Sequence, residues 1–210
     1  MSGLRRLLPA QLDALKEVAN IGAGHAATAL SEMTNRPVLV TVPLVSTFPI
    51  SQVGRQVGGS GEIFAGVLLE IVGDLTGRTL LLFDRLSAYG LCDILLRRDT
   101  RAAPGGDLDE TQRSALKELG NILTSAYANA LSEFLGLLLL PSVPDLLVDR
   151  LEAILSTPYL SSPRRRSGAV LCVETRFRFR DDGQQLSGNF LLVPDLEALP
   201  ALFRAVRLQP

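Results

Sequence analysis

Few of the residue types that build secreted scaffolds or self-contained reaction centres occur in this chain. It holds two cysteines, Cys92 and Cys172, too few for a disulfide framework or a thiolate metal cluster. Its one histidine, His25, has no triad or metal partners visible in the sequence, which favours a structural or partner-contact role over catalysis. No sign of charge dominates: 21 Lys and Arg face 22 Asp and Glu, for a net charge of −1. That balance argues against nucleic acid or an anionic membrane as the main partner. The most apolar run, Phe134 to Leu140, falls well short of the ~20 residues needed to span a bilayer, and is expected to be a helix end running into a buried strand. A signal peptide is missing, so a cytoplasmic protein is expected.

What the chain does have is apolar content and a repeat. At 210 residues, 47% hydrophobic and 20% charged, it can bury a full core as one ordered domain or as one domain of two similar halves. Asp13 to Asn20 reads Asp-Ala-Leu-Lys-Glu-Val-Ala-Asn, and Ser114 to Asn121 reads Ser-Ala-Leu-Lys-Glu-Leu-Gly-Asn. Asp13 answers to Ser114, Glu17 to Glu118, Asn20 to Asn121 and Pro43 to Pro144, each pair 101 positions apart. A constant offset over polar and special positions marks an internal duplication, far too long for a solenoid unit.

Periodicity supplies the elements. A long helix is expected over 9–34, with Pro9 in its first turn and Asn35-Arg36-Pro37 as its stop. Its apolar stripe is Leu12, Leu15, Val18, Ala19, Gly22, Ala26, Ala29, Leu30 and Met33. Strands follow at 38–45, 63–72 and 79–83, with an irregular passage over 46–61 and a short closing helix over 86–96. Residues 97–106 are the linker candidate. The second half restarts with a helix over 108–135, capped by Asp107 or Asp109, with its stripe at Leu108, Gln112, Leu116, Leu119, Leu123, Ala126, Ala130 and Phe134. A strand at 137–143, a helical spacing over 145–155, strands at 169–179 and 186–193 and a closing helix over 196–206 complete it. The expected fold is α+β: a pseudo-twofold domain with repeats at about 9–97 and 107–206, each a long helix, antiparallel strands and a short helix.

Projected at 100° per residue, Asp13, Glu17, Asn20, Gly24, Ala27 and Ser31 fall on an outward row, roughly opposite the stripe. Ser114, Glu118, Asn121, Ser125, Ala128 and Ser132 form the matching row of the second helix. Glu and Asn at i and i+3 project side by side and can contact one partner surface together. The carboxylate suits a Lys or Arg; the amide, both donor and acceptor, suits a water. Neither is a strong nucleophile or a tuned base, so the pair makes sense where a partner supplies the electrophile, its metal and most of the charge stabilisation. A single such row is ordinarily a solvated face. Packing does not explain the retention of exposed Glu and Asn in both copies of a duplication.

The pattern Asp/Ser-x3-Glu-x2-Asn-x22-Pro, complete in both copies, resembles the signature of the CheC family of chemotaxis phosphatases. Glu17-Val-Ala-Asn20-Ile-Gly-Ala-Gly and Ala128-Asn-Ala-Leu-Ser132 look like that family too, and the resemblance covers essentially the whole chain. It implies the phosphorylated response regulator CheY as substrate and an active centre at each motif. Asn20 and Asn121 would align a water in line with the aspartyl phosphate. Glu17 and Glu118 would pair with the regulator's active-site Lys, and Asp13 and Ser114 would make secondary contacts. The small residues Gly24, Ala27, Ser125 and Ala128 would let each helix approach closely. The Mg²⁺ would belong to the regulator, leaving this chain without a metal site or cofactor of its own.

Other signals are weaker. Gly22-x-Gly24-x-x-Ala27 imitates a dinucleotide fingerprint but lies inside a helix and follows no strand. Pro163 to Arg166 reads as a solvated turn, Met1 to Leu8 as an N-terminal arm, and both cysteines as core residues. The rival class is a non-catalytic flagellar-switch scaffold like the middle domain of FliM, a family that tends to lack the Glu and Asn pair. FliY keeps the pair but adds a switch domain, for which no room is expected before Pro210. A third reading is an adaptor for CheD, a receptor-modifying deamidase that members of the family bind.

Overall fold

The computed structural model describes residues 9–58, 61–98, 107–161, 169–179, 185–198, 200–201 and 204. The expected N-terminal arm, most of the 97–106 linker, the turns at 163–166 and 181–183 and part of the closing helix at 196–206 lie outside the described residues. The elements run α1 (Pro9–Thr34), β1 (Val38–Pro49), α2 (Val53–Val57), β2 (Ile63–Gly73), β3 (Gly77–Asp84), α3 (Arg85–Leu95), α4 (Glu110–Leu135), β4 (Leu139–Pro141), β5 (Asp145–Arg150), α5 (Leu151–Leu155), α6 (Pro158–Ser161), β6 (Ala169–Phe179) and β7 (Gln185–Pro194). A 3-10 turn, Ile50–Gln52, links β1 to α2. No described helix is long and apolar enough to cross a membrane.

The strands form one antiparallel sheet in the order β1-β6-β7-β3-β2-β4, with β5 also paired to β2. Exchanging each strand for its counterpart in the other half, β1 for β4 with β5, β2 for β6 and β3 for β7, reverses this order and leaves it unchanged. The first strand of each half is crossed over: β1 pairs with β6 of the second half, and β4 and β5 pair with β2 of the first. The two halves therefore share one sheet and cannot be pulled apart without breaking its ladders.

Helix ends obey the repeat as well. Asn35, just after α1, and Gly136, just after α4, are 101 positions apart and both left-handed, at φ 53° and 63°. The amide of Arg36 donates to the Ser31 carbonyl and that of Leu137 to the Ser132 carbonyl, closing the last turn in the same way. At its start, α4 carries a capping box: the Asp109 side chain accepts from the Gln112 amide at 2.8 Å, and the Gln112 side chain accepts from the Asp109 amide at 2.9 Å. These bonds satisfy amide donors that a helix start leaves free. With the Arg98 guanidinium also bonded to it, they hold the Asp109 carboxyl below its usual range.

The larger hydrophobic core lies between the sheet and the long helices, joining Leu15, Val18, Ala26 and Leu30 of α1 to Leu116, Leu119, Leu123 and Tyr127 of α4 and to Val67, Leu81, Val173 and Phe190 of the strands. Tyr127 pins α4 to the sheet, its hydroxyl 2.9 Å from Thr175 Oγ1 and its ring 4.9 Å from that of Phe190. A second core on the other face gathers Val53 of α2, Leu151 and Ile154 of α5 and Leu160 of α6 over Leu68, Leu80, Leu82 and Leu191.

Three expectations are corrected. Residues 145–150 are strand rather than helix: β5 pairs with β2 from Ile63↔Arg150 to Leu68↔Asp145, and only Leu151 and Ile154 keep the helical spacing, in α5. Backbone pairing to an otherwise open edge of β2 outweighs the local apolar period. The expected strand at 137–143 shrinks to Leu139–Pro141. The passage over 46–61 is more regular than expected, because β1 continues to Pro49 before the 3-10 turn and α2. Shifted by 101 positions, β1 spans 139–150, the reach of β4 and β5 together. Pro43 sits where the β1 register slips between Thr41 and Leu44, and Pro144 sits in the break between β4 and β5. The matched prolines thus interrupt the same strand position in both halves.

Candidate functional site

The two motifs lie on α1 and α4, which pack against each other at Gly22. A Cβ on Gly22 would come 2.8 Å from Tyr127 Cδ1, 3.1 Å from the Ala126 carbonyl oxygen and 3.2 Å from Tyr127 Cα. Glycine is what lets the helices meet at that distance. Within Gly22-x-Gly24, Gly22 is therefore a helix contact while Gly24 is exposed, and no strand-turn-helix surrounds them.

On α1 the structure brings the expected residues to one open face: Asp13, Glu17, Asn20 and Gly24 are exposed and Ala27 is half-buried. On α4, Ser114 and Glu118 are exposed, while Asn121 and Ser125 are half-buried. Ala128 departs from its expected place on the outward row, since it is only 2% exposed and belongs to the core. The cause is the wider buried arc of α4, which packs against α1, α3 and strands β2 to β5, and buries twelve residues where α1 buries eight. Ala23, Thr34, Gly120, Thr124, Tyr127, Leu131 and Leu135 are buried too, beyond the expected stripes.

The outward rows contain two kinds of residue. Ser31 is structural: its Oγ donates to the Ala27 carbonyl at 2.6 Å and accepts from the Val38 amide at 3.0 Å. Its counterpart Ser132 donates to the Leu137 carbonyl at 2.5 Å. These bonds account for the serine at both ends of the repeat. By contrast, no hydrogen bond or ion pair among the described residues engages the side chains of Glu17, Asn20, Glu118 or Asn121. Glu17, Asn20 and Glu118 are exposed and Asn121 is half-buried, so among the described residues none of the four is held by a partner.

Among the cavities bounded by described residues are one of about 650 Å³ beside Glu70, Arg78, Asp195 and Glu197 and one of about 280 Å³ beside Phe64, Arg85, Tyr89 and Asp149. Neither includes a motif residue. In the first, Arg78 is buried and bonded to Asp195 at 3.0 Å, so its charge is already matched. No group of three or more His, Cys, Asp or Glu among the described residues is arranged to hold a metal ion. Both thiols are buried and pushed up to about 12, mainly by burial, so neither is a nucleophile near neutral pH. Glu and Asn side chains on an open helix face can enter another molecule's pocket.

Sequence reasoning left Ile21 unassigned, yet it is 53% exposed on the same face of α1. The signal was available, because Ile21 lies at i+4 from Glu17 and off the apolar stripe.

Comparison with known proteins bears on both motifs. A family model described as the CheC-like family matches residues 11–46 and 112–148, each segment running from just before the Asp or Ser position to just past the proline. The chain is 31% identical over 93% of its length to the CheY-P phosphatase CheC of Bacillus subtilis (strain 168), spanning 93% of that protein. Its structure is similar to that of Thermotoga maritima FliY, with a TM-score of 0.76 and 22% identity over 96% of this chain and 98% of the other. It is also similar to the FliM middle domain from H. pylori, with a TM-score of 0.66 and 8% identity over 95% and 99%. These two likenesses concern the fold. With both motif copies inside matched segments and a relative aligned along nearly its whole length, the chain belongs to the CheC-like family.

Proposed function

We propose that this chain is a phosphatase for the aspartyl phosphate of a CheY-like response regulator, working at two sites, one on α1 and one on α4. The observation that carries the reading is the Glu and Asn pair, present twice in register, with Glu17, Asn20 and Glu118 exposed, Asn121 half-buried and none of the four side chains bonded among the described residues. The name of the Bacillus subtilis relative supplies the substrate.

Each helix enters the regulator's acidic pocket. Asn20 or Asn121 holds a water in line with the acyl phosphate through its amide. The water oxygen bonds to phosphorus as the bond from phosphorus to the aspartyl oxygen breaks, leaving a carboxylate on the regulator and inorganic phosphate. Glu17 or Glu118 pairs with the regulator's lysine and fixes the register of the helix, and Asp13 or Ser114 adds a contact one turn away. The Mg²⁺ that neutralises the phosphoryl oxygens comes with the regulator. Catalysis by this chain is thus positioning, the term that dominates phosphoryl transfer when the metal and the charge are already in place.

The likeness to FliM keeps a scaffold as the second reading, and a CheD-binding adaptor is compatible with the first. Decay of a purified phosphorylated regulator, followed with this protein at substoichiometric amounts, separates them. Several phosphates released per protein molecule support the enzyme; decay unchanged despite binding refutes it in favour of the scaffold or adaptor.

A further inference from the structure

We infer that Ile21 is an apolar contact for the phosphorylated receiver domain at the first site, and that it sets how tightly that site binds; the inference rests on the function proposed above. The duplication places isoleucine at the same register in both helices, Ile21 after Asn20 and Ile122 after Asn121. At Ile122 the core explains the residue, which is half-buried and packed against the main hydrophobic cluster. Ile21 has no such explanation: it is 53% exposed and lies outside both core clusters. Helix propensity does not favour it either, since a β-branched side chain loses rotamer freedom in a helix.

Single exposed apolar residues are ordinary; position sets this one apart. Ile21 is adjacent to Asn20, one turn after Glu17 and three residues before Gly24, so it stands among the three on the helix surface. Any body that brings an acyl phosphate to Asn20 and a lysine to Glu17 must cover Ile21 as well. Beside it Gly24 carries no side chain, and a Cβ there would stand in open space with nothing within 4 Å. An exposed apolar side chain beside that bare stretch of helix calls for an apolar facet on the regulator, beside its phosphorylated pocket. A polar facet there would lose hydration with no hydrogen bond to replace it.

The test uses the full chain carrying Asn121→Ala, so that turnover reports the first site. Adding Ile21→Ala should raise KM for the phosphorylated regulator about tenfold, roughly 1.4 kcal/mol, with kcat within about twofold and the urea midpoint unchanged. Ile122→Ala in the wild-type chain should instead lower the urea midpoint, as a core truncation does. A KM indifferent to Ile21→Ala overturns the inference and leaves the proposed function standing, whereas no turnover from the first site alone overturns the inference together with the two-site form of that function. Failure of the unsubstituted protein to accelerate decay overturns the proposed function, and the inference with it.

Discussion

Gly22 and Gly24, two residues apart in α1, should respond to alanine with opposite signs. Alanine is favoured over glycine inside a helix by about 0.8–1.0 kcal/mol, and at Gly24 nothing opposes that gain, because the added methyl meets no atom within 4 Å. Gly24→Ala should therefore stabilise the protein by about 0.5–1 kcal/mol, raising Tm by roughly 1–4 °C for a chain of this length. At Gly22 the same methyl would lie 2.8 Å from Tyr127 Cδ1 and 3.1 and 3.2 Å from backbone atoms of Ala126 and Tyr127. The ring cannot swing aside freely, since its hydroxyl is bonded to Thr175 and it packs at a tilt against the Phe190 ring, and backbone atoms move only if the helices separate. Overpacking of this kind costs typically 1–3 kcal/mol, so Gly22→Ala should lower Tm despite its better propensity. Thermal and urea unfolding of the two variants decide the matter, and a Gly22→Ala protein at or above wild-type stability would refute the helix-contact argument. The functional arm is sharper. In an Asn121→Ala background, Gly24→Ala should weaken turnover of the phosphorylated regulator while strengthening the fold, a combination that a stability defect cannot produce.

Two more outcomes follow from the packing. Burial raises the Cys92 and Cys172 thiols from 9.0 to about 12 and the Tyr127 phenol from 10.0 to about 12. Their contribution to stability is therefore intact below pH 9 and lost as the pH climbs from 9 towards 12; urea midpoints should fall across that window, and an aromatic disulfide reagent at pH 8 should label the thiols only once urea unfolds the chain. Ser31→Ala should cost about 1 kcal/mol, by removing the bonds to the Ala27 carbonyl and the Val38 amide, yet leave phosphatase activity per folded molecule unchanged, which distinguishes the structural serine from the exposed Glu and Asn of the same row.

The parts of the fold legible in the sequence are those governed by local period and local breakers. The bounds of α1, from Pro9 to Thr34, and of β6, from Ala169 to Phe179, agree with expectation because a 3.6-residue stripe and a clean alternation each end at a strong stop. Residues 145–150 went astray because Leu146, Leu147, Val148 and Leu151 suit a helix as well as a strand. Only the free edge of β2, supplied from the other half of the chain, decides between them. The crossed first strands are invisible for the same reason, since nothing in β1 says that it will pair with β6. For the site, a projection that assumes one buried arc placed Glu17, Asn20 and Glu118 correctly. It failed at Ala128, because α4 packs against α1 and α3 as well as the sheet and so buries a wider arc. Ile21 escaped notice because an isoleucine near a packing stripe is naturally taken for core.

The central claim is that Asn20 and Asn121 do the same work, each orienting the water at its own site. Dephosphorylation of the regulator by the Asn20→Ala, Asn121→Ala double variant tests it most directly, with the urea midpoint measured alongside. Removing a positioned polar group costs a factor of roughly 10²–10³. The double variant should therefore lose about that much activity at unchanged stability, while each single variant keeps the share of the intact site. A folded double variant that dephosphorylates the regulator at the wild-type rate would contradict the account.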